Sequence, residues 1–181
     1  MVTVGLDLSL RGTGLCVLNE DGVIHDYRLI KSKPVGEKPS AETRRIVKIA
    51  EDIMEAVDNA IPDVNPDLVV IEGLAFMARN TSALVQLAGL NYLTRVLLNE
   101  FNWPFLIVTP SSLKKFITQK GNSDKNVMMM TIYKDYGHEF FDDNLADSFG
   151  LAVCGLAVLD SPLKKLTIPQ QEVVTLLKSQ L

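Results

Sequence analysis

Val2-Thr-Val-Gly-Leu-Asp7-Leu-Ser9 runs straight into Leu10-Arg-Gly12-Thr-Gly14. The first eight residues read as an apolar strand with one carboxylate in it, and the next five as a tight glycine turn. A carboxylate in such a strand is costly to bury unless it meets a cation or pairs with a positive charge. Two further acids stand in equally apolar surroundings: Glu72 after Leu-Val-Val-Ile, and Asp147 before Ser-Phe-Gly-Leu-Ala-Val. Three such acids suggest one shared divalent-metal site.

Working outward, residues 14–19 form a second strand and Glu20-Asp21-Gly22 a hairpin turn. Residues 23–31 give a third strand, so the chain opens as an antiparallel meander. Ser40 is the expected N-cap of a helix over 41–60, which Pro62 and Pro66 end. The continuous apolar run 67–72 reads as a buried strand, 73–80 as a loop holding Phe76, Met77 and Arg79, and 81–100 as a long apolar helix. A strand at 104–108 precedes a short helix from Pro110 to 118 and a second over 124–135. Asp142 or Asp143 caps a helix over 144–158, and a weak amphipathic helix lies at 169–180. The order βββαβαβ followed by helices predicts an α/β fold. Its five-stranded mixed sheet has three antiparallel strands, then two parallel ones, and is flanked by helices.

At 181 residues and 47% apolar content the chain fits one globular domain. Residues 1–160 are expected to form it, with 161–181 a tail carrying the last helix. No apolar run reaches the roughly 20 residues of a membrane span, and the immediate strand pattern leaves no room for a signal peptide. Cys16 and Cys154 lie among apolar residues without metal-ligand spacing, and read as buried free thiols of a reducing cytosol. The net charge of −4 argues mildly against nucleic-acid binding, but its distribution is uneven. Residues 111–125 carry Lys114, Lys115, Lys120 and Lys125 against Asp124. Residues 28–48 carry Arg28, Lys31, Lys33, Lys38, Arg44, Arg45 and Lys48 against Glu37 and Glu42.

In the expected sheet, Asp7 and Glu72 point from neighbouring strands to one edge, and Asp147 crosses over the same spot. Hard oxygen ligands with room for water suit Mg²⁺ or Mn²⁺ rather than zinc. Two such ions about 4 Å apart would activate a water and stabilise the leaving oxygen of a phosphodiester. Each acid also has a plainer reading. Asp7 could bond the glycine-turn backbone, Glu72 could be a solvated strand end, and Asp147 could be an ordinary helix residue. Asp143, one helical turn before Asp147, could be an N-cap as readily as a ligand.

Gly5-Leu-Asp7-Leu-Ser-Leu-Arg-Gly-Thr-Gly14 resembles the first motif of the RuvC Holliday-junction resolvases. Ile71-Glu72-Gly-Leu-Ala-Phe76-Met-Ala-Arg-Asn80 resembles the second, and Ser112 to Lys125 is similar to the basic helix-turn-helix segment. Asn144-Leu-Ala-Asp147-Ser-Phe-Gly-Leu-Ala152 resembles the closing acidic helix. The resemblance spans about residues 2–155 in the right order. It implies an RNase H-like fold and a homodimer on four-way DNA junctions. It also implies Mg²⁺-dependent nicking of two symmetry-related strands, leaving 5′-phosphate and 3′-hydroxyl ends. Asp7, Glu72 and Asp147 match metal ligands of that family. Lys114 and Lys125 match basic residues near the scissile phosphate, and Phe76 matches an aromatic that stacks near the crossover. One position departs: where the family usually has a further acid, this chain has Asn144, with Asp143 beside it. Either could be the fourth ligand.

Lys114, Lys115, Lys120 and Lys125 beside Gly121-Asn122 favour phosphate contacts over mere solvation, and Arg79 joins them. Phe76 is either core or a stacking residue. The 81–100 helix is apolar around much of its circumference, which fits either a two-fold interface or a central core position. Two other readings stay open: a non-catalytic branched-DNA-binding protein on the same fold, and an actin-like or sugar-kinase lobe. The latter usually needs two lobes and has no place for the Lys-rich segment.

Overall fold

The computed structural model describes residues 1–34, 36, 38–74 and 81–181. The opening meander forms as the sequence suggests: β1 (Val2–Asp7), β2 (Gly12–Asn19) and β3 (Ile24–Lys31) pair antiparallel. Its hairpin turn is held by the Asn19 side chain, whose Oδ1 accepts from the backbone N–H groups of Asp21 and Val23. Gly22 supplies the positive φ of 80° that this turn requires. β4 (Leu68–Glu72) and β5 (Phe105–Val108) add parallel strands on the other side of β1, giving the order β3-β2-β1-β4-β5.

α1 (Pro39–Ala60) carries the chain back from the end of β3 to the start of β4, and α2 (Thr81–Glu100) does the same between β4 and β5. α1 starts one residue before the expected cap. Lys38 is the N-cap, without a side-chain bond, and Pro39 opens the first turn. Proline's fixed φ and missing N–H suit that position better than Ser40 suits a cap. α3 (Pro110–Thr118), α4 (Lys125–Tyr136), α5 (Asp143–Val158) and α6 (Ile168–Lys178) follow.

Strand alternation divides the interior into two layers. Val4, Leu6, Leu15, Val17, Val69 and Ile71 face α1 and α2. Cys16, Leu18, Val70, Leu106 and Val108 face α5, α3 and α6. Asp7 and Glu72, each one residue beyond a side chain of the first layer, therefore fall on the α5 face. Val173, Val174 and Leu177 of α6 are buried in the α5-side core. Beyond it, the Gln180 side chain accepts from the N–H of Ile107 and donates to its carbonyl, both at 3.1 Å, on the outer edge of β5. Both cysteines are free and buried, and burial pushes the Cys154 thiol up to about 12. No helix of the described residues is long and apolar enough to cross a membrane.

α2 has two contrasting sides. Leu90, Asn91, Thr94 and Leu98 are buried, whereas Val85, Tyr92 and Val96 stand 71%, 63% and 49% exposed along one stripe. The helix is thus neither wholly core nor wholly surface.

Candidate active site

The C-terminal ends of β1 and β4 lie side by side because Leu6 pairs with Ile71. The next residue on each strand is an acid, Asp7 and Glu72, about one strand spacing (~4.8 Å) apart. Asp7 is only 7% exposed and Glu72 is half-buried.

α5 brings Asp147 to the same place by lying directly on the sheet backbone. A Cβ at Gly5 would stand 1.9 Å from the carbonyl oxygen of Ser148, and one at Gly14 would stand 2.1 Å from that of Asn144. No residue but glycine permits this approach. Two bonds fasten it: Thr3 Oγ1 donates to the Ala152 carbonyl at 2.9 Å, and Asn144 Nδ2 donates to the Gly12 carbonyl at 2.7 Å. Asp142 is the N-cap, its Oδ1 accepting from the backbone of Asn144 at 2.9 Å and Leu145 at 3.3 Å.

The three carboxyls disturb one another. Burial first, then the charges of Glu72 and Asp147, push Asp7 up to about 9. Asp7 donates a hydrogen bond to Glu72, so one proton is shared between them. Burial also raises Glu72, against the opposing effects of the Asp7 proton, Lys125 and Lys114. Asp147 is raised to about 6 by burial and by the charge of Glu72, again eased by Lys125 and Lys114. Lys114 in the middle of α3 and Lys125 at the start of α4 thus both act on these acids.

No three of the described acids converge on a single ligand point. The donor set nevertheless fits a hard divalent cation: it is all oxygen, crowded and largely shielded from water, so that ionised carboxyls there lack a counter-charge.

The remaining predicted residues are dispersed. Asp143 is ion-paired with Lys125, and Asn144 is fastened to Gly12. Lys115 turns away to Glu172 of α6 at 2.6 Å. Lys120 is exposed in the turn after α3. Phe76 and Arg79 lie outside the described residues. Sequence reasoning missed the Lys125–Asp143 pair and the fastening of Asn144. The only signal for the latter was the pair of glycines at 12 and 14.

A family model described as "Crossover junction endodeoxyribonuclease RuvC" matches residues 3–155. A protein of that name from Synechococcus sp. (strain WH7803) is 27% identical over 164 residues, covering 86% of this chain and 97% of its own. One from Brachyspira hyodysenteriae is 24% identical, covering 84% and 92%. In structure, Thermus thermophilus RuvC in complex with a Holliday junction substrate superposes with a TM-score of 0.70 at 20% identity, over 84% of this chain and 90% of its own. The yeast mitochondrial Holliday junction resolvase gives a TM-score of 0.59 at 14% identity, over 98% and 82%.

Proposed function

Since the chain belongs to the RuvC family of crossover junction endodeoxyribonucleases, we propose that it resolves four-way DNA junctions by paired nicks that leave 5′-phosphate and 3′-hydroxyl ends. The observation that carries this reading is the meeting of Asp7, Glu72 and Asp147 at one sheet end, with Lys114 and Lys125 acting on all or most of them.

Family membership implies dependence on a divalent metal. We take the ion to be Mg²⁺, with Mn²⁺ substituting and two ions per site, held by Asp7, Glu72, Asp147 and one further oxygen. Bound there, it supplies an activated water and a counter-charge for the leaving oxygen. Asp143 is ion-paired with Lys125 and Asn144 is held to Gly12 through Nδ2, and we take Asn144 Oδ1 as the further oxygen. Asp7 gives up its shared proton as the site fills. Lys114 neutralises the scissile phosphate as charge grows on it. In the hydrolysis a P–O bond forms to water and the bond to the 3′ oxygen breaks, that oxygen leaving with a proton. Lys125 and Lys120 hold the backbone on either side, with Phe76 and Arg79 assigned by the family resemblance alone.

Paired nicks call for two copies of the site. The exposed Val85–Tyr92–Val96 stripe of α2 suits a two-fold partner. The curated relatives above are bacterial, and two buried free thiols suit a reducing cytosol, which we take as the place of action.

The test is nicking of a synthetic four-way junction against a linear duplex, with Mg²⁺. The unmutated chain should cut the junction in two symmetry-related strands. Asp7→Asn, Glu72→Gln and Asp147→Asn should bind it but not cut. A chain that binds junctions yet never nicks them, with Mg²⁺ or Mn²⁺, would be a binding protein instead.

A further inference from the structure

One group of cations has no part in the site described above. Lys31, Ser32, Lys33, Arg44, Arg45 and Lys48 line a cleft of about 520 Å³ between the end of β3 and the first turns of α1. Of the basic residues between 28 and 48, Arg28 is paired with Asp26 at 2.5 Å and Lys48 with Asp52 at 2.6 Å. Lys31, Lys33 and Arg44 have no acid partner among the described residues. Like charges gathered in one cleft repel one another.

Topology places the cleft at the same end of the sheet as the acids. β1 and β3 run the same way, each antiparallel to β2, so Lys31 and Asp7 end their strands together. Lys31 pairs with Gly12, two residues from the Gly14 that pairs with Asp7. The lateral separation is two strand spacings, about 10 Å, which is roughly three nucleotides along one strand. The two regions are also fastened together. Arg45 donates through Nε to Ser32 Oγ at 2.8 Å and through its guanidinium to the Leu10 carbonyl, and Ser32 N–H donates to the Arg11 carbonyl at 3.2 Å. Arg45 is therefore a rivet between the cleft and the loop that leaves Asp7. Arg11 is exposed on that loop.

We propose that this cleft is a second phosphate-binding surface, gripping the DNA backbone on the β3 side of the acids while Lys114 and Lys125 act at the acids themselves. The inference rests on the endonuclease reading and adds to it a place for a further stretch of the substrate. The lining offers cations and a hydroxyl but no aromatic ring, so the surface binds phosphates without reading bases. Such a grip adds affinity without touching the reacting phosphate.

The test uses the full chain and a triple variant, Lys31→Ala with Lys33→Ala and Arg44→Ala, leaving Arg45 to hold its loop. Binding to a synthetic four-way junction is measured over a range of salt, and nicking is measured separately at saturating enzyme. Loss of three phosphate contacts should lower the slope of log K against log salt by about 2–3. Affinity should weaken by about tenfold or more at moderate salt, while the saturating nicking rate and Tm stay as they were. An unchanged slope and affinity would overturn the proposal while leaving the nuclease reading intact. A fall in Tm with the saturating rate would overturn it too, because the cations would then serve the fold. Absence of nicking by the unmutated chain is the separate outcome that removes the functional reading.

Discussion

At the scale of single residues, the shared proton of Asp7 and Glu72 makes the site sensitive to pH in a definite direction. Carboxyls in an unfolded chain lose their protons near pH 4. The folded site keeps one on Asp7 up to about 9 and one on Asp147 up to about 6. Between these limits the native chain binds more protons than the unfolded one, so stability falls as pH rises. In a chelator, Asp7→Asn should therefore have a higher Tm than the unmutated chain at pH 8, by about 2–4 °C for each kcal/mol relieved. The gap should narrow by pH 5. Adding Mg²⁺ at pH 8 should raise the Tm of the unmutated chain and not that of the variant. A gap that ignores pH would refute the shared-proton account. Asn91 is a second residue out of balance. It is fully buried on α2, yet neither side-chain amide atom has a partner among the described residues. An unmade bond of that kind costs about 1–3 kcal/mol, so Asn91→Leu should raise the thermal midpoint measured by circular dichroism.

At the scale of elements, α5 and the two strands beneath it decide where Asp147 stands. Gly12 and Gly14 look alike in the sequence, and the fold treats them differently. An added Cβ at Gly12 meets only Leu29 Cδ2 at 3.9 Å, an ordinary contact, whereas at Gly14 it would collide with the α5 backbone. Gly12→Ala should thus keep nicking within a few-fold. Gly14→Ala should lift the helix and cost about 100-fold, since misplacing a reacting group by ~1 Å has that effect. Equal rates in the two would show that helix contact does not position Asp147. This contrast marks how far the sequence could be read. Strand order, helix order and the three acids followed from local pattern, because apolar periodicity and turn residues act over a few positions. Asp142 as the cap of α5 was one of two candidates, and the backbone bonds of Asn144 and Leu145 select it. The pairs Lys125–Asp143, Lys115–Glu172 and Arg45–Leu10 join separate elements. Nothing in a local stretch announces which long side chain will reach which distant oxygen.

At the scale of the whole molecule, the net charge of −4 conceals a layout in which acids collect at the sheet end and cations flank them. The exposed stripe on α2 is where we propose that a second copy docks. Tyr92→Glu with Val96→Glu should give a monomer by sedimentation. It should also convert paired cuts into single, uncoordinated nicks on a junction, with each active centre intact. A dimer unaffected by both charges would place the two-fold contact elsewhere. The tail beyond α5 has a part in this arrangement as well. β5 is an outer strand, and Gln180 spends both ends of its amide on Ile107. A row of open backbone groups there would be a template for a foreign strand. The opposite edge, β3, carries Asp26, Arg28 and Lys31, which oppose such pairing by charge. With a glutamine on one rim and charges along the other, both edges of the sheet carry features that oppose the addition of a foreign strand.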